Sequence, residues 1–175
     1  GIGCKFNCTF CNYDFRNIKD PKITAIDSLV KFFNEANAFG ITHFYSADDT
    51  INETDDKIDV IHQAVKELDF TPHIASFARQ DVLYNRPDRI EKMSEAGLVS
   101  LFFGIESVNH KANKMIRKGS SPERIIETLT QIKKYNPNFF LFSGMIIGLT
   151  HDNENSIRHF NDVMLSDKLL DGIGY

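Results

Sequence analysis

The sequence contains no tryptophan, only three cysteines, and no apolar run of the roughly 20 residues that a membrane-spanning helix needs. Its formal net charge is -4, which excludes a globally basic surface of the kind that attracts nucleic acid. An odd cysteine count in 175 residues is unlike the disulfide framework of a small secreted domain. Unpaired thiols instead predict a reducing, cytoplasmic setting.

The three cysteines are crowded into one short segment, with the spacing C-x3-C-x2-C at Cys4, Cys8 and Cys11. Thiols at this spacing can converge on one inorganic centre, whereas cysteines that serve only as buried small hydrophobes have no reason to cluster. An iron–sulfur cluster prefers four cysteine ligands, so three would leave one iron open for chemistry. A zinc site completed by His43 or His73 is the alternative.

Short apolar runs alternate with amphipathic segments along the chain. The hydrophobic content of 42% and charged content of 25% are ordinary for a globular protein, and the length predicts one domain over residues 1–175. We expect Thr24 to cap the first helix. Strand–helix alternation predicts an α/β fold with a parallel sheet, as a full barrel, a partial barrel or an open sheet. The predicted strands cover residues 41–46, 73–78, 99–105 and 139–149, with another beginning at 171.

Polar residues follow several of these strands. Ligands of parallel α/β folds collect at the carboxyl ends of the strands, so residues there are candidate ligand contacts. The sequence places such side chains at the ends of three successive strands: Asp48; Ser76 and Arg79; and Glu106 and Ser107.

With Phe10 directly before the third cysteine, the cysteine motif resembles that of the radical S-adenosylmethionine (SAM) superfamily. The resemblance implies a 4Fe–4S cluster on Cys4, Cys8 and Cys11, with its open iron bound by the amino and carboxylate groups of SAM. Reductive cleavage of SAM would give a 5′-deoxyadenosyl radical that abstracts hydrogen from an unknown substrate. The family fold is a partial (βα)6 barrel. This implies a first strand just before Gly1 and a sixth near residue 171, so that the chain would be part of a longer protein.

The resemblance also assigns roles at the ends of the strands. Glu106, followed by Ser107, matches the family's ribose-binding position. Lys118-Gly119 resembles the basic residue and glycine that pair with the SAM carboxylate. Ile146, within a G-x-I-x-G motif, would pack on the adenine.

The ends of the second and third strands supply further candidates. Asp48-Asp49 stands where many members have Gly-Gly-Glu, and it resembles the branch with cobalamin-dependent enzymes and RNA-modifying methylthiotransferases. Asp48 would then receive the SAM ammonium group or contact substrate. Ser76 and Arg79 are candidates for other polar groups of SAM or substrate, and no catalytic residue is assigned.

Two other functions stay open on the residues alone. One is an iron–sulfur electron-transfer module without SAM chemistry, and the other is a zinc-bound α/β enzyme. The implied partners are SAM, an unknown substrate and an electron donor such as a reductase or a flavodoxin-like protein. Cobalamin would come through a domain outside this segment. The negative net charge gives no indication of nucleic acid as a partner of this segment.

Overall fold

The computed structural model describes residues 1–14, 16–118 and 120–175. These residues form five strands and six helices in an alternating order. The strands are β1 (His43–Ser46), β2 (His73–Ala78), β3 (Leu98–Glu106), β4 (Phe140–Met145) and β5 (Gly172–Gly174). The helices are α1 (Ile26–Ala38), α2 (Asp55–Lys66), α3 (Pro87–Glu95), α4 (His110–Met115), α5 (Pro122–Tyr135) and α6 (Glu154–Ser166).

The strands make one sheet in the order β1-β2-β3-β4-β5, and every neighbouring pair is parallel. Each strand is joined to the next by one helix or, between β3 and β4, by two. This is the α/β arrangement that the alternation of the sequence predicts. All the carboxyl ends of the strands therefore lie at the same edge of the sheet.

The core lies between one face of the sheet and the helices. Along β3, alternate residues are buried, with Leu101, Phe103 and Ile105 each at most 1% exposed. Leu129 of α5 and Met93 of α3 belong to the same buried cluster. Burial of this kind is the main contribution to the stability of the fold, and it makes the central strand a rigid base for the residues at its carboxyl end.

The opposite face of the sheet carries a row of aromatic rings, one from each of β1 to β4. Tyr45 lies 6.0 Å from Phe77, Phe77 lies 4.9 Å from Phe102, and Phe102 lies 5.2 Å from Phe142, measured between ring centroids. Phe77 and Phe102 also line the cavity that contains the cysteines. The two middle rings of the row therefore form part of the cavity wall, and the row continues across the sheet on both sides of them.

Two local predictions are wrong. Thr24 does not cap the first helix, because α1 starts one residue later with Ala25 at the N-cap and no side-chain hydrogen bond there. The fourth strand ends at Met145 rather than at residue 149, since Gly148 has a φ of 92° and the chain turns away from the sheet. An apolar run in the sequence does not reveal such a turn.

No helix within the described ranges has both the length and the apolar character needed to cross a membrane.

Candidate functional site

The three cysteines line one cavity at the carboxyl edge of the sheet. The cavity has a volume of about 280 Å³. Its wall combines the segment around the cysteines with the ends of β2 and β3. The lining residues are Cys4, Phe6, Cys8, Phe10, Cys11, Tyr13, Arg16, Asp49, Thr50, Phe77, Ala78, Arg79, Phe102, Gly104, Glu106 and Lys118. The three cysteines therefore line the same cavity as Glu106.

Backbone hydrogen bonds hold the segment that carries the cysteines. The carbonyl oxygens of Cys4 and Phe6 accept from the amides of Ile18 and Asn17 at 3.0 and 2.9 Å. The amide of Thr9 donates to the carbonyl of residue 116 at 3.2 Å, which ties the segment to the end of α4. The backbone on both sides of Cys8 is therefore held by hydrogen bonds to other parts of the chain.

The donor set of the cavity, three thiols beside cationic side chains, suits an iron–sulfur cluster. Within the described residues, no group of three or more His, Cys, Asp or Glu side chains is close enough to hold one metal ion. A four-iron cluster binds each cysteine through a different iron, so its ligands stand further apart than those of zinc. The cavity wall also supplies the cations Arg79 and Lys118, which suit a centre with anionic sulfur ligands.

His43 and His73 do not complete a zinc site with the cysteines. Their rings stack on each other, with centroids 4.7 Å apart and an interplanar angle of 11°. Both residues begin their strands, so they lie toward the amino edge of the sheet, whereas the cysteine cavity lies at the carboxyl edge. The zinc alternative that relies on these histidines is therefore not supported.

Arg79, the residue after β2, is 5% exposed and directs its guanidinium to the cysteines. Nη1 donates to the sulfur of Cys8 at 3.2 Å, and Nη2 donates to the carbonyl of Lys118 at 3.3 Å. Nε and Nη2 donate to the two carboxylate oxygens of Asp81 at 2.8 and 2.5 Å. The guanidinium carbon lies 3.9 Å from the ring centroid of Phe6. Burial by itself lowers the pKa of Arg79, but its contacts with Asp81 and Cys8 outweigh burial and raise the pKa.

Glu106 ends β3 on the cavity wall and faces Lys118, whose Nζ lies 3.4 Å from its Oε1. Both side chains are nearly buried, at 13% and 12% exposure. The backbone of Glu106 has a φ of 66°, a left-handed conformation that costs a residue with a side chain roughly 1–2 kcal/mol. Strained backbone of this kind tends to be kept where it aims a functional side chain. Here it coincides with an irregular register between β3 and β4.

Four of the expected cofactor contacts lie outside the cavity lining: Asp48, Ser76, Ser107 and Ile146. Asp48 binds Lys57 and the amino group of Gly1, while its neighbour Asp49 lines the cavity. Ser76 is 2% exposed and donates to the carbonyl of residue 77. Of the expected contacts, the structure brings Phe10, Arg79, Glu106 and Lys118 together with the cysteines.

The other two expected contacts outside the cavity lining, Ser107 and Ile146, directly follow β3 and β4. Ser107 donates to a carboxylate oxygen of Asp152 at 2.6 Å and is 1% exposed. The amide of Ile146 donates to the carbonyl of Glu106 at 2.8 Å, so this residue contacts the site through its backbone. Gly119, expected beside Lys118, lies outside the described residues.

Sequence reasoning missed the buried amides that support the site. Asn52 is 0% exposed, and its side chain exchanges two hydrogen bonds of 2.8 Å with the backbone of Arg79. Asn113, also 0% exposed, donates to the carbonyls of Ser107 and Ser120 at 2.6 and 3.2 Å and so closes the loop that carries Lys118. Their positions give no signal, since asparagine is common in turns and caps.

Lys57 forms a buried ion network beside the cavity. Its Nζ lies 2.5 Å from Asp48 and 2.7 Å from Glu53, and it donates to the carbonyl of Thr50 at 3.1 Å. The other oxygen of Glu53 accepts from the amide of Lys5 at 3.0 Å. Burial alone lowers the pKa of Lys57, but hydrogen bonds to the two carboxylates outweigh burial and raise the pKa. The network therefore links α2 to the residue that follows Cys4.

Two further groups on the cavity wall, besides Arg79, have raised pKa values. Burial is the main cause of the raised pKa of the Cys4 thiol. For the Tyr13 hydroxyl, burial and then the neighbouring Asp49 carboxylate raise the pKa. The Cys4 thiol therefore favours its protonated form more than a free cysteine does.

The comparison with protein families decides the assignment. Residues 1–163 match the model of the radical SAM superfamily. The chain belongs to the radical SAM superfamily. An iron–sulfur cluster and SAM are the cofactors that membership of this superfamily implies, and the chain is the core of a radical SAM enzyme.

Curated relatives agree with this membership. An uncharacterized methyltransferase of Pyrococcus horikoshii is 22% identical over 157 residues, which are 89% of this chain and 33% of that protein. The ribosomal protein uS12 methylthiotransferase RimO of Campylobacter fetus is 29% identical over 164 residues, 89% of this chain and 36% of that protein. The chain spans about a third of the length of these relatives.

Solved structures show the same fold. The cobalamin-dependent radical SAM enzyme OxsB, with aqua-cobalamin and SAM bound, superposes with a TM-score of 0.69 at 16% identity, over 96% of this chain and 29% of that chain. The radical SAM methyltransferase TsrM of Kitasatospora setae, with tryptophan and a SAM analogue bound, gives 0.73 at 12% identity, over 98% and 33%. The predicted partial barrel and the predicted nearness to cobalamin-dependent and methylthiotransferase relatives are confirmed.

Proposed function

We propose that this chain binds a 4Fe–4S cluster through Cys4, Cys8 and Cys11 and cleaves SAM reductively in the cavity they line. The observation that carries the proposal is the shared cavity, which joins the three thiols to Glu106 and Lys118. When bound, the cluster supplies one electron that cleaves SAM into methionine and a 5′-deoxyadenosyl radical, which takes a hydrogen atom from substrate. The electron comes from an external donor, such as a reductase or a flavodoxin-like protein of the same reducing compartment.

The residues of the chain bind and orient SAM in this proposal. The Glu106 carboxylate accepts hydrogen bonds from the two ribose hydroxyls, as acidic residues do in other nucleotide sites. Lys118, which faces Glu106 at 3.4 Å, attracts the SAM carboxylate. Phe10 lies between Cys8 and Cys11 and lines the same cavity, so its ring helps to exclude water from the reacting groups.

Asp49 is a better placed partner for the SAM ammonium group than Asp48. Asp49 lines the cysteine cavity, whereas an oxygen of Asp48 is already bound to Lys57. Ser76, Ser107 and the backbone of Ile146 support the ends of the strands around the cofactor. We propose that cobalamin is bound by a domain outside these residues, because similar solved structures contain cobalamin.

The test is SAM cleavage by anaerobically purified protein reconstituted with iron and sulfide. With a chemical reductant and SAM, we expect about four irons per chain and the formation of 5′-deoxyadenosine. An iron–sulfur electron-transfer module would load the same iron but form no 5′-deoxyadenosine. Iron-loaded, reduced protein that leaves SAM intact would therefore refute the proposal.

Replacing Glu106 by glutamine tests the proposed ribose contact. The amide keeps the size of the side chain but loses the charge and one acceptor oxygen. A hydrogen bond to a charged group contributes about 1.5–3 kcal/mol, so we expect SAM affinity to fall about 10- to 100-fold. Equilibrium dialysis of SAM against the iron-loaded protein measures this change. Glu127→Gln, on the exposed side of α5, is the matched control. Unchanged SAM affinity in Glu106→Gln would refute the contact.

A further inference from the structure

The guanidinium of Arg79 is placed to donate a hydrogen bond to a cysteine rather than to bind a free ligand. The guanidinium has five N–H groups, and four of them already have partners in the structure. Turning it toward a SAM carboxylate would break its paired contact with Asp81, and the Phe6 ring covers one of its faces. The side chain is therefore poorly suited to bind a second anion and well suited to hold the sulfur of Cys8.

The backbone of Arg79 is fixed before any cofactor arrives. The side chain of Asn52 accepts from the amide of Arg79 and donates to its carbonyl, both at 2.8 Å and both buried. Amide, carbonyl and guanidinium of Arg79 are thus all restrained. A site whose supporting residues are locked by hydrogen bonds holds its ligands in a defined geometry.

A cationic donor on a cluster sulfur has a predictable electronic effect. The reduction potential of an iron–sulfur cluster depends on hydrogen bonds to its sulfurs, on nearby charge and on solvent exposure. A buried positive charge that donates to a ligand sulfur stabilises the reduced, more negative form more than the oxidised form. The potential therefore rises, and the cluster accepts an electron from a weaker donor.

We propose that Arg79 is a positioning residue, which holds Cys8 for the cluster and raises the reduction potential of that cluster through its N–H···S hydrogen bond. The inference rests on the cluster proposed above, but not on SAM cleavage. It differs from a role in binding SAM or substrate, because its effect is expected on the potential of the cluster before SAM is added.

The experiment is a redox titration of iron-loaded protein, monitored by the electron paramagnetic resonance signal of the reduced cluster, in wild type, Arg79→Gln and Arg79→Lys. At a fixed potential, we expect the ratio of reduced to oxidised cluster in Arg79→Gln to fall about tenfold. For a one-electron couple this equals a shift of about 59 mV to more negative potential. Arg79→Lys keeps the charge but not the fork of donors, so its shift should be smaller and in the same direction.

Arg89→Gln is the matched control, since Arg89 is also a buried arginine, at 6% exposure, paired with an aspartate, Asp55, at 2.6 Å. Its potential should equal that of wild type. If Arg79→Gln has the wild-type potential and binds SAM more weakly, Arg79 contacts ligand and the inference is overturned. If both Arg79 variants fold but load no iron while Arg89→Gln loads fully, the positioning role is supported. A failure of all three variants to load iron indicates a general effect of losing buried arginine and contradicts the inference.

The same titration separates this inference from the proposed function. The potential is measured without SAM, so the shift in Arg79→Gln can be observed even if wild-type protein does not cleave SAM. In that case the proposed function fails and the role of Arg79 stands. The converse result, SAM cleavage by wild type and an unshifted potential in Arg79→Gln, refutes only the role of Arg79.

Discussion

Replacing Cys8 by alanine is expected to abolish cluster loading and to lower 5′-deoxyadenosine formation by more than about 100-fold. Loss of a residue that only supports a metal ligand already costs about 10- to 100-fold, and loss of a ligand itself should cost more. The chain has three cysteines in all, so no other thiol can take the place of Cys8. The same outcome is expected for Cys4→Ala and Cys11→Ala. Iron and sulfide content per chain, together with chromatography of the SAM cleavage products, measure the effect.

Thr9→Ala is the matched control for the cysteine variants. Thr9 lies within the same motif and is exposed, and its hydroxyl makes one long hydrogen bond, 3.5 Å, to the carbonyl of residue 115. We expect nearly wild-type loading and SAM cleavage in this variant. Full iron loading in any of the three cysteine variants would remove the basis of the proposed cluster, because two thiols cannot provide the ligand set described here.

The elements of the fold were largely predictable because their signals are local. Short apolar strands that alternate with amphipathic helices indicate a parallel sheet, and the structure has that sheet, although helices pack against only one of its faces. The end of the fourth strand was not predictable, since residues 147 and 149 are as apolar as the strand itself and only the backbone of Gly148 reveals the turn. Apolar character shows where a chain is buried but not where it changes direction.

The candidate site was predictable in its ligands but not in its supports. Cys4, Cys8 and Cys11 stand out by spacing, and Glu106 stands out by its place after a strand. Arg79 was expected to contact SAM or substrate, whereas its donors reach Cys8 and Asp81. The direction of a long side chain depends on partners that are distant in sequence, and a single sequence does not identify them.

Lys57 gives the clearest case of a support hidden in the sequence. Glu53 precedes the N-cap of α2 and Lys57 lies in the first turn, four residues later, a sequence spacing that is typical of exposed ion pairs on helices. The fold instead buries both side chains, with Lys57 at 2% and Glu53 at 0% exposure. The same spacing on α1, between Lys31 and Glu35, gives a pair that is 75% and 67% exposed. The two pairs therefore allow burial to be tested at constant sequence spacing.

Lys57→Met is expected to lower the free energy of unfolding by about 3–5 kcal/mol, because it leaves buried carboxylates without their cation. The side chain of Glu53 is more deeply buried than that of Asp48, at 0% against 9% exposure, so most of the cost should arise at Glu53. Urea unfolding of the cluster-free protein measures the change. Lys31→Met should change the same quantity by less than about 1 kcal/mol, as expected for an exposed pair.

The double variant Lys57→Met with Glu53→Gln separates charge burial from packing. Removing the stranded carboxylate should restore a large part of the lost stability, since replacing both members of a buried ion pair costs much less than removing one. Glutamine also retains an oxygen that can accept from the amide of Lys5, as Glu53 does at 3.0 Å. A Lys57→Met protein as stable as Lys31→Met would show that this network does not stabilise the fold.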